Sequence, residues 1–252
     1  MSIIQINNKG IHVLEMNRGA EQTIVMIHGM FTNMSVFYFN IAPELAKHYH
    51  VVLYDLRSHG MSERVDNGYN LDVMAEDLVA LVDTLSLSKV HLVGYSYGGL
   101  IALKTAMLHP ERVDKLTIIE SPKPDEGETP EILQKYGDEF IDQYLNNYKA
   151  STRLQPGKRQ IEKNKQLYDY LFNHTSIKED LDKDNDLFDE LSGNSIHNQT
   201  LLLYGRDSDC SNAGDFLHRC MPNAKLLKGR GNHNIPVQNP QWISEKLINF
   251  FL

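Results

Sequence analysis

The segment Gly94-Tyr95-Ser96-Tyr97-Gly98 constrains the fold of this chain more than any other, because it places a serine between two glycines at a change of secondary structure. An apolar run, Val90 to Val93, precedes it, and a helical run, Leu100 to Leu108, follows it. A G-x-S-x-G with a strand before it and a helix after it is far more specific than the five letters alone. The glycines are needed because a Cβ on either side would meet the crossing strand and helix. Ser96 is therefore the first candidate functional residue.

Strand and helix patterns alternate along most of the chain. Two alternating runs flank Asn7-Asn8-Lys9-Gly10 and predict an antiparallel hairpin, Ile3 to Ile6 with Ile11 to Met16. Short apolar runs predict buried strands at 23–27, 51–54, 90–93, 113–119, 201–204 and 224–228. Helical spacing of apolar residues predicts helices at about 34–48, 71–85, 100–108, 212–220 and 241–251. This order is typical of an α/β fold with a mostly parallel sheet.

The alternation stops after residue 120 and resumes at residue 201. A chain of 252 residues with 41% hydrophobic content can bury one α/β core, and no change of composition divides it into two independent domains. We therefore expect residues 1–121 and 199–252 to form the core. Residues 122–198 are expected to form a helical lid, or cap, inserted after the sixth strand.

Charge and apolar patterning exclude several classes of function. The chain has 25 Lys and Arg against 33 Asp and Glu, and its net charge of −8 disfavours nucleic acid as a partner. It has no basic start followed by an apolar core, and no apolar stretch approaches the roughly 18 residues of a membrane span. These features predict a cytoplasmic protein without membrane contact.

The two cysteines, Cys210 and Cys220, lie ten residues apart on one predicted amphipathic helix. This is too far to form a disulfide, and they lack the spacing of metal ligands. We interpret them as reduced packing residues. The sequence also has no phosphate loop, dinucleotide fingerprint or metal-ligand motif, so we expect no cofactor and no metal.

The motifs and their order resemble the α/β-hydrolase superfamily, and the resemblance covers nearly the whole chain outside the insertion. They are His28-Gly29, the segment Asp55 to Ser62, the serine motif and a late histidine, His233. The resemblance implies an eight-stranded, mostly parallel sheet flanked by helices, with Ser96 as the nucleophile. It also implies an oxyanion hole formed by the backbone N–H groups of Met30 and Tyr97. Such donors stabilise the charge of a tetrahedral intermediate by about 3 to 4 kcal/mol each.

The base is expected to be a late histidine, because this fold delivers Ser, acid and His in that order. His233 fits best, in the loop Gly229-Arg230-Gly231-Asn232-His233 before the last helix. Asn232 stands where the family usually has a glycine. His28 and His59 belong to motif turns and are interpreted as structural residues.

The acid departs from the commonest pattern of the family. Most members carry an Asp where this chain has Ser208, three residues after the glycine that ends the seventh strand. In one interpretation the loop is shifted and Asp209, or less favourably Asp207, orients His233. In the other, the acid is Glu120 at the end of the sixth strand, as in some esterases that the sequence resembles. We favour Glu120 and keep Asp209 as the alternative, although it could instead cap the following helix.

The predicted lid separates its charges by sign. Its basic part contains Lys149, Arg153, Lys158, Arg159, Lys163 and Lys165, and its acidic part Glu179, Asp180, Asp182, Asp184, Asp186, Asp189 and Glu190. The basic part could dock an acidic carrier protein or a coenzyme A phosphate, or the two parts could be solvated faces that attract each other. Tyr136, Phe140, Tyr144, Leu145 and Tyr148 repeat at helical spacing and predict lid core or an acyl tunnel.

Three hypotheses for the function follow. The first is a serine hydrolase of small carboxylic esters or thioesters, free or linked to a carrier protein or coenzyme A, acting as a monomer or homodimer. The second is cofactor-free chemistry of the same fold, either carbon–carbon bond hydrolysis or the elimination of the menaquinone-pathway synthase. Gly94 to Gly99 resemble that synthase, but Leu100 stands in place of its arginine. The third is a ligand receptor of this fold without turnover.

Overall fold

An eight-stranded sheet forms the centre of the protein. The computed structural model describes residues 2–123, 158–184, 186–193 and 196–252. The strands are Ser2–Ile6 (β1), Lys9–Met16 (β2), Thr23–Ile27 (β3), His50–Tyr54 (β4), Val90–Tyr95 (β5), Val113–Ile119 (β6), Thr200–Gly205 (β7) and Ala224–Gly229 (β8). Their order is β1-β2-β4-β3-β5-β6-β7-β8. The β1–β2 and β2–β4 pairs are antiparallel and the other neighbouring pairs are parallel, which confirms the predicted α/β architecture.

The helices of the described residues are mostly short. They are Ser35–Tyr38 (α1), Ala42–Leu45 (α2), Leu71–Thr84 (α3), Tyr97–Leu108 (α4), Lys158–His174 (α5), Ile177–Asp182 (α6), Leu187–Gly193 (α7), Ser211–Cys220 (α8), Ile235–Gln238 (α9) and Pro240–Phe251 (α10), with a 3-10 turn at Pro110–Arg112. The prediction of one helix over 34–48 is wrong. Pro43 lies in the first turn of α2, where a missing N–H is harmless, whereas inside a longer helix it would break the hydrogen-bond ladder.

The sheet buries apolar residues on both faces, as the continuous apolar strands predicted. In β3, Val25 and Ile27 belong to the core cluster that includes α3 and α4. Their neighbours Ile24 and Met26 belong to the cluster on the other face, with α1, α2 and α10. Each such side chain contributes roughly 1.5–3 kcal/mol by leaving water. The strands are thereby held in one rigid layer, and the carboxyl ends of β3, β5, β6, β7 and β8 lie along one edge.

The hairpin between β1 and β2 is closed by two asparagines. Asn7 and Asn8 have φ values of +49° and +62°, the conformation of a two-residue type I′ turn. Asparagine tolerates this region better than most residues. The predicted hairpin is therefore present, with β2 beginning at Lys9, two residues earlier than the apolar pattern alone suggested.

Acidic residues of the insertion between β6 and β7 bind the core backbone. The carboxylate of Asp180 accepts the N–H groups of Gly68 and Tyr69, each at 3.0 Å. That of Asp184 accepts the N–H of Leu71, the first residue of α3, at 2.9 Å. Part of the acidic segment is therefore a set of anchors for the 68–71 loop, a role that neither sequence interpretation of the segregated charges included.

The rest of the predicted lid pattern divides between described and undescribed residues. Of the acidic set, Glu190 pairs with Lys104 of α4 at 2.8 Å. The basic residues Lys163 and Lys165 are exposed. The aromatic series from Tyr136 to Tyr148, together with Lys149 and Arg153, lies outside the described residues.

The two anchoring aspartates have opposite pKa shifts. Burial raises the pKa of Asp184 to about 7, with the charges of Asp72 and Asp180 adding to the effect, against the stabilising N–H of Leu71. Burial also acts on Asp180, but hydrogen bonds from Ser176, Lys183 and the Tyr69 N–H outweigh it, so the pKa of Asp180 is lowered. Asp184 is therefore the anchor that is costly to ionise.

We expect Asp184→Asn to be more stable than the parent, and we expect this gain in stability to be larger at pH 8 than at pH 5. The pKa of the folded state lies above the ordinary value, so the folded protein holds more protons between about pH 4 and pH 7 and its stability falls as pH rises through that range. An asparagine keeps an acceptor for Leu71 and removes this cost, which is at most about 4 kcal/mol. Thermal melts at both pH values measure the difference. Asp180→Asn, the matched control, should destabilise the protein at pH 8. A pH-independent difference for Asp184→Asn would contradict the assignment.

Candidate active site

Ser96 lies on the tight turn between β5 and α4, in a strained conformation. Its φ and ψ angles are +53° and −122°, which non-glycine residues rarely adopt and which cost about 1–3 kcal/mol. The turn is held by two hydrogen bonds: Ser96 N–H donates to the Ile119 carbonyl at 2.8 Å, and the Ser121 hydroxyl donates to the Ser96 carbonyl at 2.8 Å. In this conformation the Ser96 side chain is half-buried at the carboxyl edge of the sheet.

The glycines of the motif are required by close backbone packing, as predicted. A Cβ on Gly98 would lie against the carbonyl oxygens of Ile27 and His28 at the end of β3. A Cβ on Gly94 would meet the Gly98 backbone. The turn can therefore pass between β3 and α4 only without these side chains.

His233 lies in the loop after β8 and faces Ser96. Its Nε2 is 3.1 Å from Ser96 Oγ, within hydrogen-bond reach. Tyr95 holds His233 in place: its hydroxyl donates to the His233 carbonyl at 3.0 Å, and its ring centroid lies 5.4 Å from that of the imidazole. The serine and histidine that the sequence singled out are thus brought together.

Asn232, the departure from the family pattern, organises this loop. Its side-chain oxygen accepts the Asn234 N–H and the Gln238 side-chain amide, both at 2.9 Å. Gln238 in turn accepts the Asn232 N–H at 3.0 Å. The asparagine therefore replaces the flexibility of a glycine with a closed network that holds the adjacent His233.

Glu120 lies on the other side of the imidazole. It follows β6, has a φ of +56° and has no exposure to water. Its Oε2 is 3.5 Å from His233 Nδ1 and accepts the Ser208 hydroxyl, while its Oε1 accepts the Gly205 N–H. A buried carboxylate needs such donors. Ser208, at the position where the family usually carries its acid, therefore donates to the Glu120 carboxylate.

The other two candidate acids lie elsewhere. Asp207 and Asp209 are both exposed. Among the described hydrogen bonds and ion pairs of His233, none involves either aspartate. The loop that carries them instead directs Ser208 inward.

Cys210 is the residue of the site that the sequence missed. It packs against the core as a free cysteine, as predicted, but it precedes α8 as its N-cap instead of lying on the helix with Cys220. Its Sγ lies 3.4 Å from His233 Nδ1, and its N–H donates to the Ser208 hydroxyl at 3.1 Å. The one available signal was its position two residues after Ser208, because the loop that turns Ser208 inward also presents Cys210 to the imidazole.

The surroundings of His233 favour its protonated form. Burial lowers the pKa of the imidazole, but the adjacent Cys210 and Glu120 raise it by more, so the net shift is upward. A partner that favours imidazolium strengthens histidine as a proton acceptor. The pair Glu120 and Cys210 therefore act together on one ring nitrogen, Nδ1, while Nε2 faces the serine.

Two buried histidines support the loop that follows β3. His28 donates from Nδ1 to the Gly29 carbonyl at 2.7 Å and accepts the Leu56 N–H at 2.9 Å. His59 donates from Nδ1 to the Arg57 carbonyl at 2.8 Å and accepts the Phe31 N–H at 3.2 Å. Burial lowers the pKa of both, that of His59 to about 3 with His28 adding to the effect. Both histidines therefore support the loop, in agreement with their interpretation as structural residues, and their lowered pKa values favour the neutral form.

The loop from Gly29 to Phe31 passes directly over Ser96. A Cβ built on Gly29 would lie 2.9 Å from Ser96 Cβ and 3.4 Å from Ser96 Oγ. Of the two residues predicted for the oxyanion hole, Met30 directly follows Gly29, and Tyr97 directly follows Ser96 as the first residue of α4. The Tyr97 hydroxyl also donates to the Tyr69 carbonyl, which ties this turn to the start of α3.

Aromatic side chains of α5 pack against the same loop. Phe31 lies 5.6 Å from the ring centroids of both Tyr168 and Phe172. Tyr168 and Phe172 stack on each other with centroids 4.6 Å apart. An apolar wall from the insertion therefore adjoins the backbone over Ser96.

Comparisons with known proteins agree with this fold. A family model described as alpha/beta hydrolase fold matches residues 22–217. The chain belongs to the alpha/beta hydrolase family. Esterase YbfF of Escherichia coli is 33% identical over 107 residues, covering 41% of this hydrolase and 40% of the esterase. 2-Hydroxymuconate semialdehyde hydrolase of a Pseudomonas species is 38% identical over 115 residues, covering 44% and 41% respectively.

Those matches span about two fifths of the length of each curated relative. A thermophilic esterase from Thermogutta terrifontis covers 100% of this hydrolase and 98% of its own chain, with a TM-score of 0.81 at 19% identity. At that identity the likeness is one of fold. Within the described residues of this hydrolase, no helix has both the length and the apolar character needed to cross a membrane.

We expect Gly29→Ala to slow the reaction of Ser96 with a fluorophosphonate probe by about 100-fold, because displacing reacting groups by about 1 Å can cost that much. The added Cβ would press on Ser96 Cβ at 2.9 Å. Gly19→Ala is the matched control, since a Cβ there meets nothing within 4 Å. Labelling rates with intact circular dichroism measure the effect. Equal rates for both variants would refute the close approach.

Proposed function

We propose that this hydrolase cleaves small carboxylic esters or thioesters through an acyl-enzyme on Ser96. The observation that carries the proposal is that one imidazole joins two groups. His233 Nε2 lies 3.1 Å from Ser96 Oγ, and its Nδ1 lies 3.5 Å from Glu120 Oε2. A nucleophile, a base and an orienting carboxylate in line are the arrangement that activates a serine.

In the first half of the reaction, Ser96 Oγ attacks the carbonyl carbon and His233 Nε2 takes its proton. The tetrahedral intermediate collapses as His233 gives that proton to the leaving alcohol or thiol. In the second half, His233 takes a proton from water as the water attacks the acyl carbon. The second tetrahedral intermediate collapses as His233 gives that proton to Ser96 Oγ, and the acid is released. Glu120 holds the tautomer with the proton on Nδ1 and stabilises the imidazolium without taking the proton.

We assign the oxyanion hole to the backbone N–H groups of Met30 and Tyr97. The close approach of Gly29 to Ser96 supports this, because it fixes the Gly29–Met30 peptide beside the attacked carbon. The neutral His28 and His59 hold the loop in place without adding a charge that would compete with the oxyanion.

We propose that residues 122–198 act as a lid and supply the acyl pocket. Phe31, Tyr168 and Phe172 support an apolar wall for an uncharged acyl chain. Asp180 and Asp184 fasten the insertion to the core loop beside α3. The lid so fastened would shape the substrate site from one side.

Carbon–carbon bond hydrolysis is the second candidate. It is favoured by the 38% identity to 2-hydroxymuconate semialdehyde hydrolase over 115 residues. That reaction would use the same serine and histidine but a substrate with a ketone next to the bond that breaks. Turnover of such a substrate that exceeds turnover of esters by Ser96 would favour this candidate.

We expect Ser96→Ala and Glu120→Gln each to lower hydrolysis of p-nitrophenyl esters by about 1,000-fold or more, since both act as one unit with the histidine. Asp209→Asn, the matched control, should keep most of the activity because Asp209 is exposed. The burst and steady-state release of p-nitrophenol from short and medium acyl chains measure these effects.

The reverse ranking of the two acid variants would move the acid to Asp209. If the parent shows steady-state turnover without a burst, an acyl-enzyme does not accumulate. No Ser96-dependent turnover of any ester would refute the proposal and favour carbon–carbon chemistry or a receptor.

A further inference from the structure

Two side chains with different donor atoms converge on one nitrogen of the His233 imidazole. Cys210 Sγ and Glu120 Oε2 lie 3.4 Å and 3.5 Å from His233 Nδ1, and all three donor atoms are within 4.8 Å of one another. A thiolate, an imidazole nitrogen and a carboxylate oxygen are the donor set of zinc sites in proteins. The three residues stand at positions 120, 210 and 233, so no metal-binding motif of closely spaced residues predicts this cluster from the sequence.

Two of the three distances between these donors already suit a tetrahedral ion. With metal bonds of about 2.3 Å to sulfur and about 2.0–2.1 Å to nitrogen and oxygen, neighbouring ligands of zinc lie about 3.3–3.6 Å apart. The two pairs that include His233 Nδ1 fall in that range. Little movement of the side chains is needed to bind the ion.

The surrounding hydrogen bonds resemble the outer shell of a built metal site. Ser208 and the Gly205 N–H hold the Glu120 carboxylate, and Tyr95 holds the backbone of His233. Outer-shell partners of this kind orient ligands and raise affinity. The His233 side chain is 28% exposed, so an ion can reach the cluster and a water can complete its coordination.

We propose that Glu120, Cys210 and His233 bind a thiophilic divalent cation such as Zn²⁺ or Cd²⁺, and that the bound ion inhibits the hydrolase. On binding, the proton of the Cys210 thiol goes to solvent, and the metal occupies Nδ1, so His233 keeps one proton on Nε2 and any second proton of the imidazole also goes to solvent. The nitrogen that faces Ser96 then carries a proton and cannot accept another. The inhibition rests on the proposed function, whereas binding does not.

Binding is tested by titrating the purified full chain with Cd²⁺ and following the ultraviolet charge-transfer band of a cadmium thiolate. The chain has two cysteines, so Cys220→Ser is the matched control for Cys210→Ser. We expect the parent, Cys220→Ser and Ser96→Ala to develop the band at one equivalent. Cys210→Ser should lose it and bind Zn²⁺ about 100-fold more weakly in competition with a chromophoric chelator. His233→Asn should weaken binding as well.

Inhibition is tested by adding Zn²⁺ and then EDTA to the ester assay. Each variant is compared with its own metal-free rate. Reversible inhibition of the parent and of Cys220→Ser, with no change from its own metal-free rate in Cys210→Ser, would support the proposal. No band in the parent, or the same band in Cys210→Ser, would overturn the site. Metal binding without inhibition would overturn the inhibitory role. Binding without any Ser96-dependent turnover would support the site while refuting the proposed hydrolase and the inhibition that rests on it.

Discussion

The buried carboxylate of Glu120 is the interaction on which the rest of the site depends. A charge without access to water must be stabilised by protein donors, and Glu120 receives the Gly205 N–H and the Ser208 hydroxyl from the loop after β7. It also faces His233 from the loop after β8. One side chain therefore joins the carboxyl ends of three neighbouring strands, and its φ of +56° is a strain that these contacts offset.

Much of this arrangement could be predicted because it is encoded locally. The glycines around Ser96 predict a tight strand-to-helix turn without knowledge of any other residue, and the continuous apolar strands predict a sheet buried on both faces. His233 follows from chain order, since the loop after the last strand must return to the same edge as Ser96. Once parallel strands fix the edge, the serine and histidine have few other places to lie.

The remaining features depend on contacts between distant segments. Glu120 and Asp209 both follow strands at the correct edge. Which of them faces His233 depends on the direction in which the loop after β7 turns, and no local sequence pattern encodes that direction. Asp180 and Asp184 appear in the sequence as part of a solvated acidic run, yet they bind backbone N–H groups more than 100 residues away. Pro43 is a recognisable helix breaker in the sequence, but the apolar spacing across it favoured one helix over residues 34–48.

The position of Glu120 also explains why Cys210 can reach the imidazole. Where the carboxylate comes from the loop after β7, that loop must direct its acid at the histidine, and its neighbours are placed around that requirement. Here the carboxylate that faces His233 follows β6, and the loop after β7 turns Ser208 toward Glu120 and Cys210 toward His233 Nδ1. A carboxylate and a thiol on one nitrogen raise the basicity of the histidine, and the same pair of donors is what a soft cation would bind. The placement of Cys210 and Glu120 beside His233 Nδ1 would therefore account both for the raised basicity of His233 and for the proposed inhibition by metal ions.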